Sequence, residues 1–347
     1  MEFASDNTAG AAPEIWAALA QANGGSAPSY GDDVWTKRAQ RLMCDVFERD
    51  VAAFPVVSGM AANCLALGVL SPRFGAVFAH DEAHVLANES TAPEFYSQAR
   101  LVPVPGRNGK IDPDALRQAL ARHGRGNVHA AQPSVLSLTQ ATETGTLYSP
   151  QEISTLSSIA HGAGMSVHMD GARFANAVAA LGVRPADLTW RAGVDVLSFG
   201  LTKNGALNAE AVVFFDPSKA ADFEYQRKRA AHLVSKMRFV SAQIVAMLES
   251  GLWLDLARAA NSSAKALFQG LSQLKSVSFD VPVETNSIFP LFSKELVTHL
   301  ESKGAHFYTW GPPLADGRQR ARLVTSFATS ESEVSKFLDA ASAFEEN

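Results

Sequence analysis

Apolar residues in the first two thirds of the chain come in short runs separated by stretches with helical spacing. Residues 51–57 form the first run, followed by Ser58-Gly59-Met60-Ala61-Ala62-Asn63 and a helical stretch through Leu70. Further runs at 76–79, 101–104, 135–138, 166–169, 194–199 and 211–215 predict strands. Helix starts are marked between them. Asp112-Pro113 sets an acid at the N-cap and a proline at the first helical position, and Ser149-Pro150-Gln151-Glu152 is a capping box. The helix opened at Ser149 is expected to end near His161-Gly162, and another to begin at Phe174. Strands alternating with helices predict an α/β fold with a mostly parallel sheet, covered on both faces. Residues 220–250 have the pattern of one long helix, with Arg227-Lys228-Arg229 on its solvated face. The remainder carries further helices and short strands at 288–292 and 322–325. The expected organisation is a large domain over residues 1–250, including the N-terminal segment, and a small C-terminal α/β domain over 251–347.

Composition narrows the partners. A formal net charge of -5 argues against nucleic acid or an anionic membrane. No apolar run reaches the length of a bilayer span, and residues 1–10 lack the basic and apolar parts of a signal peptide. A cytoplasmic protein is therefore expected. Cys44 and Cys64, the only cysteines, each sit in an apolar helical pattern and read as buried small hydrophobes.

In open α/β sheets ligands bind beyond the carboxyl ends of the strands, so the polar residues that follow each apolar run are the candidates for chemistry. Lys203 closes the run Asp195-Val196-Leu197-Ser198-Phe199-Gly200-Leu201-Thr202-Lys203 and is flanked by Gly200 and Gly205. An isolated lysine there is by default a solubilising charge. At the mouth of a buried strand, however, partial desolvation lowers an amine's pKa and fits it to form a Schiff base. Asp170 follows another apolar run and suits a pyridinium nitrogen, although singly it would be a helix cap. Arg173 offers a planar fork for a carboxylate. Ser58-Gly59-Met60, between a strand and a helix, lets backbone N–H groups approach a phosphate. His80-Asp81-Glu82-Ala83-His84 has two histidines four apart, but its glutamate does not directly follow the first, as a zinc-peptidase helix requires, and no metal is called for. His129, His161, His168, His232 and His306 are singly uninformative.

Ser5-Asp6-Asn7, Tyr30-Gly31-Asp32-Asp33, Ser58-Gly59-Met60-Ala61-Ala62-Asn63, His84, Asp170-Gly171-Ala172-Arg173, Thr202-Lys203-Asn204-Gly205 and Met237-Arg238 occur in the order seen in low-specificity L-threonine aldolases. The chain resembles the bacterial branch that includes L-phenylserine aldolases, from Ser5 to Arg322. The resemblance implies an aspartate-aminotransferase-like fold (fold type I) with pyridoxal 5′-phosphate as cofactor. It implies that Lys203 carries the cofactor, that Asp170 meets its ring nitrogen and that His84 stacks on its face. Gly59, Met60, Thr202 and Arg238 would hold the cofactor, Arg238 acting at the phosphate from a neighbouring subunit. Ser5, Arg173 and Arg322 would hold the substrate carboxylate, and Tyr30 would reach an active site across a homodimer or homotetramer interface.

The implied reaction cleaves L-threonine, L-allo-threonine or L-phenylserine to glycine and an aldehyde. Three departures stand out. Met60 replaces a common hydroxyl residue, Leu201 replaces a residue that is often small, and Thr139-Gln140-Ala141-Thr142-Glu143-Thr144-Gly145 lacks a histidine many relatives carry. The alternative on the same fold is a β-eliminating lyase. A nucleotide-binding α/β protein is the outside reading, and neither G-x-G-x-x-G after the first strand nor G-x-x-x-x-G-K-[ST] supports it.

Overall fold

A computed structural model describes residues 1–345. Nine strands form in the first two thirds of the chain: β1 Ala52–Val56, β2 Gly75–His80, β3 Arg100–Val104, the ribbon β4 Gly106–Arg107 and β5 Lys110–Ile111, then β6 Gln132–Thr139, β7 Ser166–Gly171, β8 Val196–Gly200 and β9 Glu210–Phe214. Seven of them make one sheet in the order β1-β9-β8-β7-β6-β2-β3. Neighbours from β8 to β3 pair in parallel, while β9 pairs antiparallel with both β8 and β1. Helices cover both faces, which is why β2, β8 and β9 are buried at every position instead of alternating.

The second sheet contains β10 Ser278–Phe279, β11 Ser287–Ile288, β12 Pro290–Phe292, β13 Tyr308–Thr309 and β14 Gln319–Val324 in the order β10-β12-β14-β11, with β13 pairing β14. Its core gathers Leu267, Ile288, Phe292, Leu323 and Phe337, and Phe3 from the N-terminal segment is buried in it. Val324 N–H donates to Phe3 O at 2.8 Å, so residues just before Ser5 run along β14.

The residues at 220–250 correct the expectation of one helix. They divide into a 3-10 turn Pro217–Ala220 and helices Phe223–Arg229 and Arg238–Glu249, with Ala231 in a left-handed conformation at φ 62°. The two helices serve different faces of the sheet. Phe223 packs with Val56, Val212 and Phe214, whereas Val240, Ile244 and Met247 join the main core with Leu197 and Val213. One straight helix could not bury both stripes. The basic stretch also departs from expectation: Arg227 is buried, donating to Pro55 O at 3.1 Å and pairing with Glu224, and only Lys228 and Arg229 are exposed.

Aromatic packing fixes the end of β8. Phe199 sits edge-on to Phe47 at 5.9 Å and to Trp253 at 5.5 Å, and all three are buried. Each such ring contributes roughly 2–3 kcal/mol of burial free energy. Beyond it, Leu201 N–H donates to Glu210 at 2.9 Å and Asn204 Nδ2 donates to Trp253 O at 2.7 Å. The turn carrying Lys203 is held from both sides.

Candidate active site

Beyond the carboxyl ends of β7 and β8 lies a cavity of about 350 Å³, lined among others by Gly59, Met60, His84, Asp170, Thr202 and Lys203. Its rim begins at Ser58, the N-cap of helix Gly59–Leu70, whose Oγ accepts from Ala61 N–H at 3.3 Å. The next two amides, of Gly59 and Met60, point to no acceptor among the described residues, and a Cβ at Gly59 would meet nothing within 4 Å. Free amides at a helix start, with open space before them, are an anion cradle.

Asp170 forms the floor. It is buried, its Oδ2 accepting from Asn63 Nδ2 at 2.8 Å and its Oδ1 from Ala172 N–H at 3.0 Å. Lys203 is half-buried, and among the described residues its amine makes no hydrogen bond or ion pair. Burial lowers its pKa, the nearby Arg173 lowers it further, and Asp6, Asp170 and Glu210 pull in the other direction. The net shift is downward, which raises the share of uncharged, reactive amine. Thr202 Oγ1 is buried without a partner. His84 presents an imidazole that is 44% exposed, with Nδ1 on Glu89 Oε1 at 2.8 Å.

A smaller recess of about 70 Å³ continues from this cavity and includes Arg173 and Glu143. Arg173 is engaged through Nε and Nη2 with Asp6 at 2.7 and 2.9 Å, which leaves Nη1 for another anion. Burial would raise the Asp6 carboxyl, but Arg173 and Lys203 hold it below its usual value. Arg322, on β14, donates to Ala4 O at 3.2 Å and leaves Nε buried and unpaired. Burial, aided by the like charge of Arg173, pulls its guanidinium down to about 10. Two neighbouring guanidinium groups with spare donors form a receptor for a carboxylate.

The composition of this site, an amine without partners, a buried carboxylate opposite it and a phosphate-ready helix start, matches the donor set that pyridoxal 5′-phosphate requires. The beta-eliminating lyase family model matches residues 2–294. A low-specificity L-threonine aldolase of Pseudomonas sp. (strain NCIMB 10558) is 42% identical over 334 residues, which is 96% of this chain and 94% of that protein. The chain belongs to the low-specificity L-threonine aldolases of the beta-eliminating lyase family. A threonine aldolase of Leishmania major superimposes with a TM-score of 0.93 at 26% identity, covering 99% of both chains. Serine palmitoyltransferase of Sphingomonas wittichii shares the fold, with a TM-score of 0.74 at 15% identity over 100% of this chain and 87% of that one. The aldolase chain therefore has fold type I, and no single helix among its described residues is long and apolar enough to cross a membrane.

Of the residues singled out from the sequence, Lys203, Asp170, His84, Gly59, Met60 and Thr202 line one cavity, and Arg173 lines its continuation. Ser5 caps the 3-10 turn Asp6–Thr8 that delivers Asp6 and Asn7 to the site. Arg238 and Tyr30 lie outside the cavity of their own chain: Arg238 donates to Gly25 O at 3.2 Å, and Lys228 Nζ lies 4.4 Å above the Tyr30 ring. His80 ends β2, buried, with Nδ1 facing Asp81. Three carboxyl groups escaped the sequence reading. Burial pushes Glu143 and Glu210 each up to about 7, and Glu89 is buried under His84. Glu143 lies in the stretch singled out for its missing histidine; nothing local distinguished the other two.

Proposed function

We propose that this chain is a pyridoxal 5′-phosphate-dependent aldolase that cleaves L-threonine, L-allo-threonine and L-phenylserine types of β-hydroxy-α-amino acid to glycine and an aldehyde. The observation that carries this reading is the unpartnered Lys203 amine facing the buried Asp170 carboxylate, in a chain 42% identical to an L-threonine aldolase across nearly its whole length. When bound, pyridoxal 5′-phosphate supplies the electron sink that lets a bond at the substrate's α-carbon break.

The chain's own residues divide the remaining work. Lys203 offers the uncharged amine that carries the cofactor. Asp170, its oxygens oriented by Asn63 and the Ala172 amide, holds a proton at the ring nitrogen. The Gly59 and Met60 amides and the Thr202 hydroxyl take the phosphate. Arg173, through its spare Nη1, and Arg322, with help from Ser5, take the substrate carboxylate and so set the orientation of the bond to be cleaved. His84, which lines the cavity, would cover the cofactor ring.

Among the described residues no arginine of the same chain lines the larger cavity, and Arg173 lines only the adjoining recess. This supports an enzyme of two or four copies with shared sites, in which Arg238 and Tyr30 serve the neighbouring copy. We assign residues 251–347 to a small domain that moves Arg322 with β14, and the cytoplasm as the compartment. The deciding experiment incubates the enzyme with L-phenylserine and L-threonine, measuring aldehyde and glycine, and with L-serine and L-tyrosine, measuring pyruvate. Aldehyde with equimolar glycine supports the aldolase. Pyruvate alone would move the chain to β-elimination, a reading favoured only by the name of the matching family.

A further inference from the structure

Beneath His84 lies a buried carboxyl group, Glu89, that the proposed reaction does not use. Glu89 is 1% exposed, and no lysine or arginine pairs with it among the described residues. Its Oε1 accepts from Asn63 Nδ2 at 2.9 Å and lies 2.8 Å from His84 Nδ1, and Oε2 receives the Cys64 thiol at 3.8 Å. Asn63 Nδ2 also donates to Asp170 Oδ2 at 2.8 Å. One amide nitrogen therefore joins two buried carboxyl groups, and the path His84–Glu89–Asn63–Asp170 is hydrogen-bonded throughout.

The backbone is shaped for this arrangement. Ser90 and Thr91, directly after Glu89, both adopt left-handed conformations, at φ 49° and 60°, which residues with side chains rarely do. They form the turn that directly follows Glu89. Burying a carboxylate is unfavourable unless it is paired, and among the described residues the basic group bonded to Glu89 is the His84 imidazole.

We propose that Glu89 and Asn63 are positioning residues that fix the His84 imidazole over the cavity and tie its charge to that of Asp170. Glu89, as sole hydrogen-bond partner of Nδ1, sets the ring's tautomer and leaves Nε2 to face the cavity. Asn63 keeps the two carboxylates apart while sharing its protons with both, so a change of charge at either one is felt by the other. The other charged groups facing His84 are Asp170 and Lys203, and Glu143 receives its backbone N–H at 2.8 Å. The hydrogen bond that His84 donates to Glu89 raises the His84 pKa, against burial and Lys203 and with Asp170. The arrangement in the protein does not depend on the aldolase reading; only its consequence for turnover rests on it.

The test is an imidazole nitrogen NMR titration of the cofactor-loaded enzyme, with the His84 signals assigned by their loss in His84→Gln. In the parent, His84 is expected to carry a proton on Nδ1 and to titrate above an ordinary histidine. Glu89→Gln is expected to lower that titration by about one unit or more, a tenfold or greater loss of proton affinity, and to move the acidic limb of kcat/KM by the same amount. Glu89→Asp, which keeps the charge, should recover part of both shifts. Asn63→Ser is expected to shift the pH titration of the cofactor's absorbance, because Asp170 loses its donor. A His84 titration unchanged in a folded Glu89→Gln variant would overturn the proposal, even if activity fell. Should that variant fail to fold, a bare Nδ1 in the parent overturns it equally. Absence of aldehyde release from phenylserine would count against the aldolase alone and leave the titration readable.

Discussion

At the residue scale the site is an exercise in controlled charge. Asp170 is satisfied by Asn63 and the Ala172 amide, and it has the burial and orientation to keep a ring nitrogen protonated. Asp170→Asn is therefore expected to retain cofactor, as judged by absorbance, while kcat falls by about a hundredfold or more. Near-normal kcat would remove Asp170 from the reaction. Glu143 and Glu210 offer a test of a different kind. Burial lifts each from the usual 4.5 to about 7. The folded state thus binds protons more tightly than the unfolded chain, so stability is full below the usual value and declines as pH rises through the folded one. Between about pH 5 and pH 8 the melting temperature of the cofactor-free protein should fall, and Glu143→Gln should flatten that fall. An equally steep decline in the variant would show that Glu143 is not among its causes.

At the scale of elements, the turn after β8 does the positioning. Gly205 ends the Lys203 turn at φ 106°, and a Cβ there would lie 2.9 Å from Leu256 Cδ1 and 3.2 Å from Phe327. Gly182, the C-cap of helix Phe174–Leu181, has φ 64° but nothing within 4 Å of an added Cβ. Gly205→Ala combines backbone strain with a clash, whereas Gly182→Ala has the strain only. Both should lose stability, by about 1–3 kcal/mol, with Gly205→Ala the larger. Only Gly205→Ala should also lower kcat, because its turn carries the amine. Denaturant midpoints and turnover measured side by side check this, and equal kcat losses in the two would refute the positioning argument.

At the scale of the whole molecule, the proposed site is one that a second copy would complete. Among the described residues no arginine lines the larger cavity at Gly59 and Met60, and Met60 contributes no polar side-chain donor, while the half-buried Arg238 stands outside it. A phosphate drawn partly out of water needs a cation. Mixing inactive Lys203→Ala with inactive Arg238→Ala subunits should restore activity, since a hybrid dimer holds one site with both native residues. About half the parent activity per hybrid dimer is expected from that count. No recovery in verified hybrids would put Arg238 outside the shared site, without touching the aldolase assignment.

Much of this was legible in the chain itself. Apolar runs marked the strands of the main sheet because they are buried on both faces, and the caps at Asp112 and Ser149 marked helix starts because a cap is a local hydrogen bond. That Lys203 and Asp170 would meet at one cavity was legible for a related reason: both come at or after the carboxyl ends of buried strands in a parallel sheet, where ligands bind. Tertiary structure alone decided the rest. Apolar spacing cannot say which face of a sheet a helix will cover, so the break at 230–237 was invisible, and so was the burial of Arg227. Glu89 owes its character to Asn63, far away in sequence, and through it to Asp170, while Glu210 owes its own to burial between strands, which its near neighbours Leu201 and Lys203 only partly offset. Periodicity records where a side chain must be buried; the charge it bears there depends on what the fold sets beside it.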